Sequence, residues 1–171
     1  SMRDFFNTGY TWNNSLNIQQ ANDKGFYSFS LGNTTQEGIV PSTGMNRYNA
    51  KLSAETKLHT NWTTGFSGNF THSKVDKMTG ANDGLTATGY LIPPSYDMEG
   101  IPYHEYGNPY SGTNYRTGFG NPYWQTNHNK FQEKTQRFFG NAYVDYKTKF
   151  DTQNHTLLVK YMLGTDAYQN N

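Results

Sequence analysis

The chain has 171 residues, of which 16% are aromatic and only 16% charged, and its net charge is +1. A disordered chain is normally charge-rich and aromatic-poor, so this composition argues for a folded chain, and the near-neutral charge gives no electrostatic footprint for nucleic acid. Cysteine is absent, which excludes disulfides, thiolate metal sites and cysteine nucleophiles. No apolar run is long enough for a transmembrane helix, a test that β-barrel strands escape because they alternate.

Ser1-Met2 reads as an expression scar. From Tyr10 the pattern has period two: Tyr10, Trp12, Asn14, Leu16 and Ile18 alternate with Thr11, Asn13, Ser15, Asn17 and Gln19. This predicts a strand over 10–20. Asn22-Asp23-Lys24-Gly25 predicts a tight turn, with glycine and Asn/Asp free to take positive φ. A second strand over 25–35 sets Tyr27, Phe29 and Leu31 against Ser28, Ser30 and Gly32. After a connection through Gly38, Pro41 and Gly44, a third over 46–58 sets Tyr48, Ala50, Leu52, Ala54 and Leu58 against Asn49, Lys51, Ser53, Glu55 and Lys57. His59-Thr60-Asn61 turns the chain into a fourth, 62–72, with Trp62, Phe66, Gly68 and Phe70 on its apolar side.

The alternation then stops over about 73–133, a stretch rich in tyrosine and holding five of the six prolines. No helical period stands out there. A loop of this length counts against a simple soluble domain. Alternation resumes over 135–147, with Phe138, Gly140, Ala142, Val144 and Tyr146 against Phe139, Asn141, Tyr143, Asp145 and Lys147. A turn over Thr148 to Asn154 leads to a last strand over 155–164 with Leu157, Val159, Tyr161 and Leu163. The fold class expected is all-β: an antiparallel up-and-down meander of about six strands carrying one long aromatic and proline-rich loop.

Two architectures share this pattern. Arg47, Lys51, Glu55, Lys57, Arg137, Asp145, Lys147 and Lys160 all fall on the polar face. A lipid-facing lysine or arginine at mid-membrane costs roughly 2–4 kcal/mol, but a soluble β-sandwich also keeps charge off its buried face. Loop lengths favour the barrel. Short connections follow the first, third and fifth strands and long ones the second and fourth, so all short turns share one end, as in outer-membrane barrels. Tyr27, Trp62 and Tyr146 near the short-turn end, and Tyr10, Trp12, Tyr48 and Phe70 near the other, are placed like interfacial girdles. Aromatic residues are also simply good strand formers.

Catalytic chemistry is not expected. Asp97, Glu99 and Glu105 would be the acids of a glycosidase-like pair, yet acids in a solvated loop are far more often merely solubilising. His72, His104 and His128 lack metal-ligand spacing with acidic partners. Asn82-Asp83-Gly84 lacks the alternating acids of a calcium loop and reads as a turn. The Asn-x-Thr sequons at Asn33, Asn61 and Asn69 are cheap matches in so Asn- and Thr-rich a chain. No metal or other cofactor is implied. The candidate ligand-binding residues are Tyr103, Tyr106, Tyr110, Tyr115, Tyr123 and Trp124. Their flat apolar faces with a polar handle suit the C–H faces and hydroxyl rims of sugars. The bland alternative is that these rings pack the loop onto itself or onto a partner.

The wording of the sequence adds a resemblance. DFFNTGYTWNNSLNI, the Asn22-Asp23-Lys24 turn, Gln36-Glu37-Gly38-Ile39-Val40 and the strand after Arg47-Tyr48 resemble early barrel strands of SusC-like TonB-dependent outer-membrane transporters. Asn121-Pro122-Tyr123-Trp124, RFFGNAYVDYK and LLVKYMLGTDAY resemble the return from that family's large outer loop and the next strand. The resemblance runs from Asp4 to Tyr168 and is least specific over Met78 to Tyr115. It implies that residues 3–171 are six strands of a barrel of about 22, without the plug or TonB box. It further implies an outer-membrane nutrient-import receptor of a Gram-negative bacterium. The partners it implies are a SusD-like surface lipoprotein, the TonB energy-coupling complex, a glycan or peptide cargo and outer-membrane lipid, with no nucleic acid. An isolated piece of this kind is expected to self-associate. The alternative is a soluble secreted lectin-like β-sandwich that binds carbohydrate with the same aromatic residues.

Overall fold

The computed structural model describes residues 2–78, 84–150 and 155–171. Six antiparallel strands form one sheet: β1 Tyr10–Asn22, β2 Gly25–Glu37, β3 Gly44–His59 and β4 Trp62–Lys77 in sequence order, followed by two more, Phe131–Phe150 and His155–Asn170. Between β4 and the fifth strand of this sheet the chain builds a two-stranded hairpin, β5 His104–Glu105 and β6 Asn108–Gly112. The last two sheet strands are therefore β7 and β8 in chain order. The sheet order is β1-β2-β3-β4-β7-β8, a meander interrupted only by the insertion after β4.

The strands overrun the expected limits, β7 most of all at 20 residues. Each strand of this sheet is longer than the roughly ten residues typical of a tilted barrel strand. Thr148 to Phe150, expected as part of a turn, continue β7, and the remainder of that turn lies outside the described residues. The expected turn at Asn82-Asp83-Gly84 also falls largely outside them.

The first hairpin closes in the tight turn expected at Asn22 to Gly25, without using positive φ. Neither Asp23, Lys24 nor Gly25 has positive φ. Instead the Asn22 side-chain oxygen accepts from the backbone N–H groups of Lys24 at 2.9 Å and Gly25 at 3.0 Å, an Asx turn. Gly25 is required by close approach: a Cβ there would collide with the carbonyl oxygen of Glu55 on β3.

The described residues form two compact units, one drawn from 2–12, 35–46 and 74–133, the other from 13–34, 47–73 and 134–171. In the second unit the period-two pattern becomes two faces. β7 and β8 pair Ala142 with Leu163, Val144 with Tyr161 and Tyr146 with Val159, so the apolar residues of both strands share one side. Ala50, Leu52, Phe66 and Phe70 join that side along one groove of about 580 Å³, floored by the small residues Gly68, Gly140 and Ala142. Trp62 and Tyr146 meet at its short-turn end, ring centroids 4.8 Å apart. Among the described residues of this unit the face is exposed. Leu52 is 46% exposed, Phe66 45% and Leu163 61%.

The opposite face carries the charge. Arg137 pairs with Asp166 at 2.6 Å, and Lys160 with Asp145 at 3.6 Å. Tyr143 lies flat over Gly65 of β4 and donates its hydroxyl to Glu55 of β3. Lys160 Nζ sits 4.0 Å from the Tyr143 ring centroid. Ser28 and Ser53 share a 2.7 Å hydrogen bond on the same side.

The first unit holds the true core. Among the described residues the buried hydrophobic side chains are Phe5, Leu85, Ile92 and Met98. The stretch between β4 and β7, expected to be without pattern, contains two helices as well as the hairpin: α2 Leu85–Leu91 and α3 Pro122–His128. A third short helix, α1 Met2–Phe5, precedes β1. Each is at most seven residues long, under two turns, which is too short to print a period of 3.6 on the sequence.

Candidate functional site

The six aromatic residues expected at the site divide into three groups. Tyr106 and Tyr110 stand free on the β5–β6 hairpin, Tyr106 fully exposed and Tyr110 85% exposed. The two-residue turn holding Tyr106 depends on Gly107, whose φ of 76° belongs to the left-handed region that glycine enters without penalty. Asn108 Oδ1 accepts from the Tyr110 backbone N–H at 3.1 Å and stiffens the return strand.

Tyr103 and Trp124 belong to a second group that also includes His128. The indole of Trp124 and the imidazole of His128 stack with centroids 4.5 Å apart and planes 8° from parallel. They lie one helical turn apart on α3, the spacing that brings side chains together on one face. His128 Nδ1–H donates to the Trp124 carbonyl at 3.0 Å, since a carbonyl can only accept. Trp124 Nε1–H donates to the Pro109 carbonyl at 3.3 Å. The indole rests on Gly112, where a Cβ would come within 2.9 Å of it. Tyr103 meets the His128 ring at 6.5 Å and the His104 ring at 5.2 Å. These contacts fasten the hairpin to α3.

Tyr115 and Tyr123 are packing residues. Tyr115 meets Tyr96 edge-on at 5.1 Å. Tyr123 meets Phe5 edge-on at 5.0 Å. Burial, and then the nearby charges of Glu99, Asp4 and Asp97, push the Tyr123 hydroxyl above its ordinary pKa, so it stays a protonated donor. Asp97 itself closes a turn by accepting from the Gly100 N–H at 3.0 Å.

Three contributors lay outside the expected set. His128, judged only as a metal ligand, is a stacking partner. Tyr90 at the end of α2 is 86% exposed and is a further free ring. Asn121 is the third: it is 3% exposed and heavily hydrogen-bonded. Its Oδ1 accepts from Tyr123 N–H at 2.9 Å, its Nδ2 donates to the Thr113 carbonyl at 3.0 Å, and its N–H donates to Asn114 Oδ1 at 3.1 Å. With Pro122 in the first helical position this is an N-cap that starts α3. The Asn-Pro dipeptide was the legible signal.

The arrangement presents two free tyrosine faces on a braced hairpin beside a hydrogen-bonded Trp–His stack. It suits contact with a ligand that offers flat C–H surfaces and hydroxyls. No protein-family model and no curated protein sequence matches the chain.

Proposed function

We propose that the chain is part of the barrel of an outer-membrane, TonB-dependent nutrient-import receptor of the SusC-like kind, taking up a glycan with the help of a SusD-like surface lipoprotein. The observation that carries this reading is the uncovered apolar face. Leu16, Leu31, Leu52, Phe66, Phe70, Val144 and Leu163 are all exposed. At roughly 25 cal/mol per Å² of apolar surface, leaving such a face in water forfeits many kcal/mol, whereas lipid is a solvent that suits it. The lectin-like sandwich needs a second sheet over these residues; among the described residues the only other sheet is the two-stranded hairpin β5–β6. Loop lengths agree with the barrel. Two residues join β1 to β2 and two join β3 to β4, both turns at one end of the meander, while the chain leaves β4 for its long insertion from the other end of that strand.

In this reading the polar face, with its Arg137–Asp166 and Lys160–Asp145 pairs, lines the lumen. The β5–β6 hairpin and α3 form part of the outer surface that meets cargo or the lipoprotein. Deleting Tyr103 to Tyr115 from the full receptor is expected to abolish growth on its cargo while the barrel remains in the outer-membrane fraction. Undiminished growth would sink the assignment of the site. Bilayer contact is tested separately by brominated lipids, which quench tryptophan at known depths. Trp12 and Trp62, on the apolar face toward opposite ends, should be quenched at two shallow depths and Trp124 not at all.

A further inference from the structure

Where the long loops leave the sheet, the first unit contains a cleft of about 310 Å³ lined by Ser42, Lys74, Asp76, Lys77, Lys130 and Gln132, with the Phe131 ring beside them. Lys77 is neutralised by Glu133, and the Asp76 carboxylate accepts from Gln132 Nε2 at 2.8 Å. Among the described residues neither Lys74 nor Lys130 has an ion-pair partner. Two ammonium groups therefore stand against the single charge of Asp76. The rim is fixed: Gly38 N–H donates to the Thr43 carbonyl at 2.9 Å and Thr43 Oγ1 donates to the Val40 carbonyl at 2.7 Å. Between them Ser42 is held at φ 63°, the only non-glycine residue of positive φ among those described. A side-chain-bearing residue persists there only when its surroundings over-determine it.

We infer that this cleft binds a phosphate monoester, with Lys74 and Lys130 as the charge partners and Ser42 as a hydroxyl donor at the rim. Lysine binds phosphate as a point charge and needs no fork geometry. The source of the phosphate follows from the strand and rests on the barrel reading. Phe66, Phe70 and Lys74 are spaced by four on β4, so all three share the apolar side, with Lys74 about 13 Å past Phe70 along the strand. In a barrel that position is just beyond the hydrocarbon on the lipid side, where phosphorylated lipid headgroups lie.

The test titrates the detergent-solubilised chain with phosphatidic acid, phosphatidylcholine and inorganic phosphate, read by calorimetry. Phosphatidic acid is expected to bind, with an affinity that falls as salt rises. Lys74→Gln with Lys130→Gln should weaken it by about fivefold for each lysine removed. Lys74→Arg with Lys130→Arg should restore binding, which separates charge from misfolding. Lys147→Gln with Lys149→Gln, at the opposite end of β7, should leave it unchanged. The inference is overturned if phosphatidic acid binds no better than phosphatidylcholine, or if the β7 control loses as much affinity as the cleft variant. Inorganic phosphate binding as tightly as phosphatidic acid would overturn the lipid source and leave a site for soluble phosphate esters. Insertion into uncharged phosphatidylcholine bilayers is scored independently. Its failure, with phosphate binding intact, removes the barrel reading and keeps the cleft.

Discussion

Among single residues, the glycines of the sheet have the sharpest consequences. A Cβ at Gly65 would come within 2.6 Å of the Tyr143 ring, and one at Gly140 within 2.6 Å of the Ser67 carbonyl. Gly65 lets Tyr143 of β7 lie across β4 and reach Glu55 on β3, tying three strands together through one side chain. Gly65→Ala is expected to lift the ring and lose that hydrogen bond, at a cost of about 1–3 kcal/mol in line with overpacking. Tyr143→Phe, which keeps the ring and loses only the hydroxyl, should cost about 1 kcal/mol. Denaturant unfolding of both variants in detergent checks the order. If Gly65→Ala proved the milder of the two, the ring would not be held against the glycine. Asn121→Ala makes a parallel case in the first unit, where the loss of the α3 cap should cost about 1–2 kcal/mol. Hydrogen exchange at Tyr123 and Gln125 is the readout, and unchanged protection would show that the cap contributes little. Asn121-Pro122 fits a helix start, a signal that the missing helical period left unread, and it does not show that the Asn121 side chain also reaches back to Thr113. That bond depends on the path of the intervening loop.

At the level of elements, legibility tracked length and period. Strands of 13 residues or more carry six or so alternations each, enough for the two faces to be read directly, and the pairing of Ala142 with Leu163 and Val144 with Tyr161 agrees with them. The strand ends were not readable. Beyond Phe70 on β4 and Phe138 on β7 the apolar-side positions turn polar, with Lys74, Asp76 and Gln132, so the alternation fades while the backbone ladder continues. The insertion was the least legible part. Its helices are shorter than two turns, and its order comes from contacts distant in sequence, such as Tyr96 on Tyr115 and Trp124 on Pro109. The division of the six site residues into free and packed rings could not be read from composition, because tyrosine serves both uses equally well. That division has its own consequence. Gly112→Val would place side-chain atoms where the Trp124 indole lies, and should detach the hairpin from α3 while leaving the six-stranded sheet intact. Tyr106→Ala and Tyr110→Ala should leave stability within about 0.5 kcal/mol of the parent, as for other exposed sites, while weakening cargo binding. Tyr115→Ala and Tyr123→Ala should show the reverse, with thermal unfolding and cargo titration as the paired measurements.

The edges of the sheet decide how the molecule as a whole behaves in water. β1 and β8 are the outer strands, and both are exposed along their entire length. Natural edge strands are protected by charge, proline or a covering element. The β1 segment, Tyr10–Asn22, contains no charged residue and no proline, and β8 has only Lys160 and Asp166 as fully charged side chains. Each edge thus turns backbone N–H and C=O groups outward with little charge to repel a neighbour. The apolar face adds to this, since contiguous exposed patches beyond a few hundred Å² are rare in soluble monomers. Covering only about 400 Å² of it would return on the order of 10 kcal/mol at 25 cal/mol per Å², which competes well with the entropic cost of association. In plain buffer the 171-residue chain is therefore expected to self-associate, pairing edges or apolar faces with other copies. Detergent should cover the apolar face and reduce the assembly, while edge pairing persists in the species that remain. Substitutions separate the two contacts. Leu16→Lys and Ile18→Lys on β1 should weaken both, whereas Asn17→Pro removes one backbone donor and should act on the edge alone. Light scattering with and without detergent gives the masses directly. A strictly monomeric chain in detergent-free buffer would contradict the exposed belt and, with it, the barrel reading.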